Sequence, residues 1–91
     1  MKRLAVFGST GSIGASTLEL ARRFPERLQV VALTAGKNVA LLREQILEFS
    51  PRVVVVQDAD DALLLGREFA GLEVLHGQHG LVQCAGWDSV D

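Results

Sequence analysis

The chain has 91 residues, of which 48% are hydrophobic and 22% charged, and its formal net charge at pH 7 is -2. This is enough chain for one small domain, and the apolar content excludes a disordered polypeptide. The sequence has no basic block and no apolar run long enough to span a bilayer, so we expect neither a nucleic-acid partner nor a membrane partner. The single cysteine, Cys84, cannot form an internal disulfide, which is typical of the cytoplasm, and we expect a cytoplasmic protein.

The first predicted elements are a strand, a glycine-rich loop and a helix. Residues 4–7 are an apolar run that predicts a buried strand, and residues 13–24 have the spacing of a helix. Between them lies Gly8-Ser9-Thr10-Gly11-Ser12-Ile13-Gly14. A glycine loop that leads into a helix presents backbone N–H groups and the positive end of the helix dipole to an anion. The loop therefore predicts a phosphate site. The alternative is a glycine turn without a ligand, because the usual dinucleotide fingerprint is G-x-G-x-x-G and this one is G-x-x-G-x-x-G.

The predicted first helix has an apolar stripe that we expect to face the core. Its members are Ile13, Thr17, Leu20, Ala21 and Phe24. Ser12 is a suitable N-cap residue, and Pro25 ends the helix.

Strands and helices continue to alternate along the chain. The predicted strands cover residues 28–34, 53–56 and 72–75, and the predicted helices cover residues 39–49, 59–69 and, weakly, 80–85. This alternation predicts an α/β fold, a Rossmann-like parallel sheet of about four strands flanked by helices and incomplete at the C-terminal end.

Several polar residues in these later elements have structural interpretations. In the second helix we expect Val39, Leu42, Ile46 and Phe49 to face inward and Glu44 and Glu48 to face water. Asp58, Asp60 and Asp61 are placed at the start of the third helix, where acidic residues are favoured, and we interpret them as helix-start residues rather than as a metal site.

The end of the second strand indicates which nucleotide the loop would bind. NAD-binding sheets place an Asp or Glu there for the ribose hydroxyls, whereas this chain has Gly36, Lys37 and Asn38. A cation and an amide suit a 2′-phosphate, so the residue types favour NADP over NAD. The alternative is a surface lysine beside a helix-capping Asn38.

Four segments together resemble the beginning of the 1-deoxy-D-xylulose 5-phosphate reductoisomerase family. They are residues 8–14, residues 32–39 (Ala-Leu-Thr-Ala-Gly-Lys-Asn-Val), Pro51 with the valine run, and residues 73–77 (Glu-Val-Leu-His-Gly). The resemblance covers essentially the whole chain, although the family's proteins are several times longer. It implies an oxidoreductase that uses NADPH and a divalent metal, Mg or Mn, to convert 1-deoxy-D-xylulose 5-phosphate to 2-C-methyl-D-erythritol 4-phosphate, in non-mevalonate isoprenoid biosynthesis.

The resemblance also implies roles for individual residues. It assigns Thr10, Gly11, Ser12 and Ile13 to the pyrophosphate side of NADPH, and Gly36, Lys37 and Asn38 to the adenosine 2′-phosphate side. Lys37 stands where many members have arginine. It implies a homodimeric parent whose metal ligands, substrate-phosphate residues and catalytic loop lie beyond Asp91, so we expect no catalytic or metal-binding residue in this chain and no turnover by it alone.

Three other interpretations remain open at the level of sequence. The chain could be part of another NADP-dependent oxidoreductase with the same loop, a non-enzymatic domain that senses NADP(H), or an α/β domain without a nucleotide. We expect His76 and His79 to be loop residues without a catalytic role, and Cys84 and Trp87 to be packing residues.

Overall fold

The computed structural model describes residues 2–77 and residue 80, and they form a parallel sheet with helices between its strands. The elements are β1 (Lys2–Val6), α1 (Ser12–Arg23), β2 (Leu28–Thr34), α2 (Val39–Phe49), β3 (Val53–Val56), α3 (Ala59–Glu68) and β4 (Glu73–His76). The strand order is β1-β2-β3-β4, and every neighbouring pair is parallel. The predicted fold class is confirmed, and β2, α2 and β3 have the predicted bounds. Apart from residue 80, the predicted last helix lies outside the described residues.

The core is built from alternate residues of the strands. In β3, Val54 and Val56 join a cluster with buried side chains from α1, α2 and α3, whereas Val53 and Val55 join Ala32 in a second cluster. Side chains alternate between the two faces of a strand, so the three helices pack on the same face of the sheet. All four valines of β3 are buried, on both faces of the strand, as is typical of an inner strand of a parallel sheet.

The predicted core face of α1 is wrong. Ile13 is 85% exposed and Leu20 is 51% exposed, and Phe24 is also exposed, whereas the helix buries Gly14, Leu18 and Ala21. The cause is the close packing of Gly14 against the glycine loop, described below, which sets the rotation of the helix. Residues four and seven positions after Gly14 then face the core. Of the predicted stripe, only Ala21 is fully buried.

Two smaller predictions also need correction. Ser12 is the first residue of α1, and the N-cap position belongs to Gly11, so the Ser12 hydroxyl is not a cap. His76 is the last residue of β4 and not a loop residue, because the fourth strand runs one residue further than its apolar stretch suggests. His79 lies outside the described residues. In the second helix the predictions are confirmed, since Leu42 and Ile46 are buried.

Two further observations concern the edges and surface of the fold. Within the described residues, β1 pairs with β2 on one side and with no strand on the other. None of the helices in the same part of the chain is both long and apolar enough to cross a membrane.

Candidate functional site

The glycine loop is fixed to the end of β2 by one residue, Thr34. The backbone N–H of Gly8 donates to Thr34 Oγ1 at 2.9 Å, and the backbone N–H of Ser9 donates to the Thr34 carbonyl at 2.8 Å. Within the loop, Gly11 N–H donates to the Gly8 carbonyl at 2.9 Å. Gly8 has φ +68, a conformation that side chains disfavour. The loop is therefore held in one shape, because its N–H groups donate to both the hydroxyl and the carbonyl oxygen of Thr34.

Gly14 brings the first turn of α1 against the same loop. A Cβ on Gly14 would lie 2.2 Å from the Gly8 carbonyl oxygen, 2.7 Å from Ser9 Cα and 2.8 Å from the Gly8 carbonyl carbon. No real Cβ atom approaches backbone so closely, so only glycine allows the helix to begin here. The third glycine of the predicted motif thus has a structural explanation in close helix packing.

The N-terminus of α1 has the properties of an anion site. The helix starts at Ser12, its N-cap residue Gly11 makes no side-chain capping bond, and its first turn contains no acidic residue. The N–H groups of the first turn have no acceptor within the helix, and the helix dipole makes this end positive. Thr10, Gly11, Ser12 and Ile13, the residues predicted for the pyrophosphate, span the loop and this first turn.

A buried glutamine of α2 makes a second connection to the loop. Gln45 Nε2 donates to the Ser9 carbonyl at 2.9 Å, and both residues are buried, at 4% and 0% exposure. The other polar atoms of this pair, Gln45 Oε1 and Ser9 Oγ, are buried without a hydrogen-bond partner among the described residues. Neither Gln45 nor Thr34 is among the site residues predicted from the sequence. A polar residue beside Ile46, on a helix face predicted to be buried, was the signal for Gln45.

The second predicted segment lies between β2 and α2. Gly36, Lys37 and Asn38 are all exposed. Asn38 is the N-cap of α2, and its Oδ1 accepts from the Leu41 N–H at 3.3 Å. The capping role predicted for Asn38 is confirmed, and because the cap uses Oδ1, the Nδ2 donors remain for another acceptor. In the described part of the chain Lys37 forms no salt bridge, so its ammonium group is available to an anion.

One cleft brings the two segments together. It has a volume of about 500 Å³ and is lined by Gly8 of the loop, Thr34 and Gly36 at the end of β2, and Val56 and Gln57 at the end of β3, among others. Ligands of doubly wound sheets bind beyond the carboxyl ends of the strands, which is where this cleft lies. Gly8 and Gly36 line the cleft, and Gly36 is the one predicted site residue that does so. The other predicted site residues do not line it: Thr10, Gly11, Ser12, Ile13, Lys37 and Asn38.

The described residues contain no group of three or more His, Cys, Asp or Glu side chains that could hold a metal ion. Asp58 is the N-cap of α3 but its side chain makes no capping bond, and Asp60 and Asp61 lie in the first turn of that helix. The favourable position of these carboxylates at a helix N-terminus is sufficient to explain them.

Comparisons with known proteins agree on one family. Residues 4–91 match the sequence profile of the family described as 1-deoxy-D-xylulose 5-phosphate reductoisomerase. The chain is similar to the 1-deoxy-D-xylulose 5-phosphate reductoisomerases of Citrifermentans bemidjiense, at 47% identity over 87 residues, and of Geobacter metallireducens, at 49% over 87 residues. Each match covers 93% of this chain and 23% of the relative, so the chain spans about a quarter of the length of these relatives.

Solved structures give the same result for the fold. The chain is similar to a DOX-P reductoisomerase crystallised with NADPH, fosmidomycin and magnesium, with a TM-score of 0.92 and 33% identity over 100% of this chain and 23% of the other. It is also similar to the Zymomonas mobilis 1-deoxy-D-xylulose 5-phosphate reductoisomerase in complex with NADPH, with a TM-score of 0.82 and 37% identity over 92% of this chain and 23% of the other.

Proposed function

This chain belongs to the 1-deoxy-D-xylulose 5-phosphate reductoisomerase family, and we propose that it is the NADPH-binding part of such an enzyme. The complete enzyme would isomerise 1-deoxy-D-xylulose 5-phosphate and reduce the product to 2-C-methyl-D-erythritol 4-phosphate, a step of non-mevalonate isoprenoid biosynthesis. One observation carries the proposal. A glycine loop anchored on Thr34 shares a cleft with Gly36, and a cation and an amide come directly after Gly36 in place of a carboxylate.

The residues present fit both ends of the nucleotide. Thr10, Gly11, Ser12 and Ile13 would hold the pyrophosphate at the uncapped N-terminus of α1, which favours negative charge. Lys37 would neutralise the 2′-phosphate of the adenosine as a point charge. Asn38 would donate an Nδ2–H to the same phosphate while its Oδ1 caps α2. When bound, NADPH supplies the hydride for the reduction, and these residues orient it.

The remaining partners belong to the complete enzyme. Solved relatives are in complex with magnesium and with fosmidomycin, which supports a divalent metal, Mg or Mn, and a sugar-phosphate substrate for the protein as a whole. We assign neither to residues of this chain. A homodimeric enzyme located in the cytoplasm is part of the same proposal, and gel filtration and fractionation of cells are its tests.

Nucleotide discrimination tests the proposed site. The complete protein is titrated with NADPH and with NADH, and the same titrations are made with Lys37→Glu. Because a hydrogen bond to a charged group is worth about 1.5–3 kcal/mol, we expect the substitution to weaken NADPH binding about 10- to 100-fold and to leave NADH binding unchanged. Lys2→Glu, the same charge reversal at an exposed residue of β1, is the matched control and should change neither affinity.

The outcomes separate this proposal from its alternatives. Equal affinity for NADH and NADPH in the unsubstituted protein would contradict the assignment of the 2′-phosphate site. Tight NADPH binding without consumption of NADPH in the presence of 1-deoxy-D-xylulose 5-phosphate and magnesium would favour a sensing domain or another oxidoreductase. No binding of either nucleotide would favour an α/β domain without a nucleotide.

A further inference from the structure

Gln45 is the one side chain by which α2 holds the glycine loop within the described residues. Its Nε2 donates to the Ser9 carbonyl at 2.9 Å, across 36 residues of sequence, and the contact is buried. Ser9 lies between Gly8, which lines the cleft, and Thr10, which we assign to the pyrophosphate. The bond therefore acts on the part of the loop that has to be placed correctly for the cofactor.

The same helix carries the other half of the site at its N-terminus. Gly36, Lys37 and Asn38 lead into α2, and Gln45 lies seven residues, or about 10 Å of helix, after Asn38. A rigid helix with one end at the predicted 2′-phosphate segment and its buried amide on the loop fixes the distance between the two segments. Thr34 anchors the loop two residues before Gly36, and Gln45 anchors it from the helix that follows Asn38, so the loop is held from both sides of the segment.

Folding explains only half of the amide at this position, because the buried Ser9 carbonyl needs a donor and Gln45 Nε2 supplies it. Gln45 is 4% exposed, and its Oε1 has no hydrogen-bond partner in the described part of the chain. A buried amide of which only one end is bonded loses much of what its hydrogen bond gains, and an apolar side chain of the same volume would avoid that loss but would leave the Ser9 carbonyl without a donor. The favourable effect of Gln45 is therefore to be sought in the placement of the loop.

We infer that Gln45 is a positioning residue of the cofactor site, which holds the pyrophosphate-binding loop at a fixed distance from the 2′-phosphate segment through the Ser9 carbonyl. This inference rests on the proposed function, because it needs a ligand that contacts both segments at once. A ligand that contacts only the 2′-phosphate segment does not depend on the bond.

The test compares two ligands on the complete protein. NADPH reaches both segments, whereas adenosine 2′,5′-bisphosphate lacks the pyrophosphate bridge and reaches mainly the 2′-phosphate segment. Gln45→Met removes the amide at nearly constant volume, and we expect it to weaken NADPH about 3- to 10-fold, the factor that one neutral hydrogen bond is worth. The affinity of Gln45→Met for adenosine 2′,5′-bisphosphate should be weakened less than about twofold. Leu42→Met, a buried apolar swap on the same helix face, is the matched control and should change the two affinities by the same small factor.

Each outcome decides the inference. If Gln45→Met weakens the binding of both ligands equally, the role of Gln45 is merely structural. If NADPH binding is unchanged, Gln45 has no role in the site. Either result overturns the inference. Gln45→Leu is made in parallel, so that a folding failure of one variant, seen as loss of the thermal transition, leaves the other to decide. If the unsubstituted protein binds neither ligand, the proposed function itself fails, a result that is distinct from failure of the positioning role.

Discussion

Gly14 and Gly66 allow the same substitution to be tested at two helical positions with opposite expected results. A Cβ on Gly14 would lie 2.2 Å from the Gly8 carbonyl oxygen, more than 1 Å closer than the 3.4 Å at which ordinary van der Waals contact begins. Its three nearest atoms all belong to the backbone of the loop and cannot rotate away. A Cβ on Gly66, in the last turn of α3, would meet nothing within 4 Å.

The magnitudes follow from these distances. Gly66→Ala should raise the free energy of unfolding by about 1 kcal/mol, the difference in helix propensity, which corresponds to a rise in Tm of about 4–8 °C for a domain of this size. Gly14→Ala makes the same gain in propensity but forces the loop to shift, at a cost of about 3 kcal/mol, so we expect a net loss of about 2 kcal/mol. Because the shifted loop is the one we assign to the pyrophosphate, NADPH binding should weaken more than about 10-fold in Gly14→Ala only.

Urea unfolding followed by far-ultraviolet circular dichroism measures the first effect, and titration with NADPH measures the second. A Gly14→Ala variant as stable as Gly66→Ala would refute the reasoning, because it would mean that α1 can begin at Ser12 without the close contact. Loss of stability with unchanged NADPH affinity would separate the packing of the loop from the site.

Two further predictions concern α1 and its contact with α2. Leu18→Ala should lower the free energy of unfolding by about 2–5 kcal/mol and Leu20→Ala by less than about 1 kcal/mol, since the exposed fractions of the two residues are 1% and 51%. Equal losses measured by urea unfolding would contradict the finding that α1 buries Leu18 and exposes Leu20. Arg22 donates to the Glu48 carboxylate from two nitrogens, and this hydrogen bonding lowers the pKa of the Glu48 carboxyl. The pair therefore stabilises the fold at pH values above the ordinary glutamate pKa. The stabilisation is lost as the pH falls through the lowered pKa. Because both side chains are about 40% exposed, Glu48→Gln should lower the free energy of unfolding by less than about 1 kcal/mol at neutral pH and should not change it in acid. The control Glu44→Gln should not change the free energy of unfolding at either pH. A loss for Glu48→Gln that persists in acid would show that the charge is not the cause.

The parts of the fold that were predicted correctly are those that a local pattern specifies. The valine run of β3 is apolar at every position, as a strand buried on both faces must be, and its bounds were predicted without error. Asn38 precedes α2 at the position where an amide side chain can cap it, and it does so. In both cases the cause of the structure lies within a few residues of sequence.

The face of α1 could not be predicted in this way. Ile13, Leu20 and Phe24 have helical spacing and apolar side chains, and by the local pattern they form the better stripe. The structure exposes them because Gly14 has to lie against the Gly8 carbonyl, and this contact takes precedence over the burial of larger side chains. When contact with a loop fixes the first turn of a helix, the rotation of the helix and therefore its buried face are fixed as well.

Local properties account for the alternation of strands and helices, the glycine loop, and the cation and amide that follow β2, because apolar spacing, glycine content and residue charge can be read along the chain. The way in which the loop is held depends instead on the packed fold. The hydrogen bonds of the loop with Thr34 and Gln45 join residues that are 26 and 36 positions apart in the sequence. The periodicity of the sequence does not predict which distant polar groups will form such bonds. Such pairs form because a buried backbone N–H or carbonyl must find a partner once the sheet and helices have packed, and the packing, not the local pattern, selects that partner.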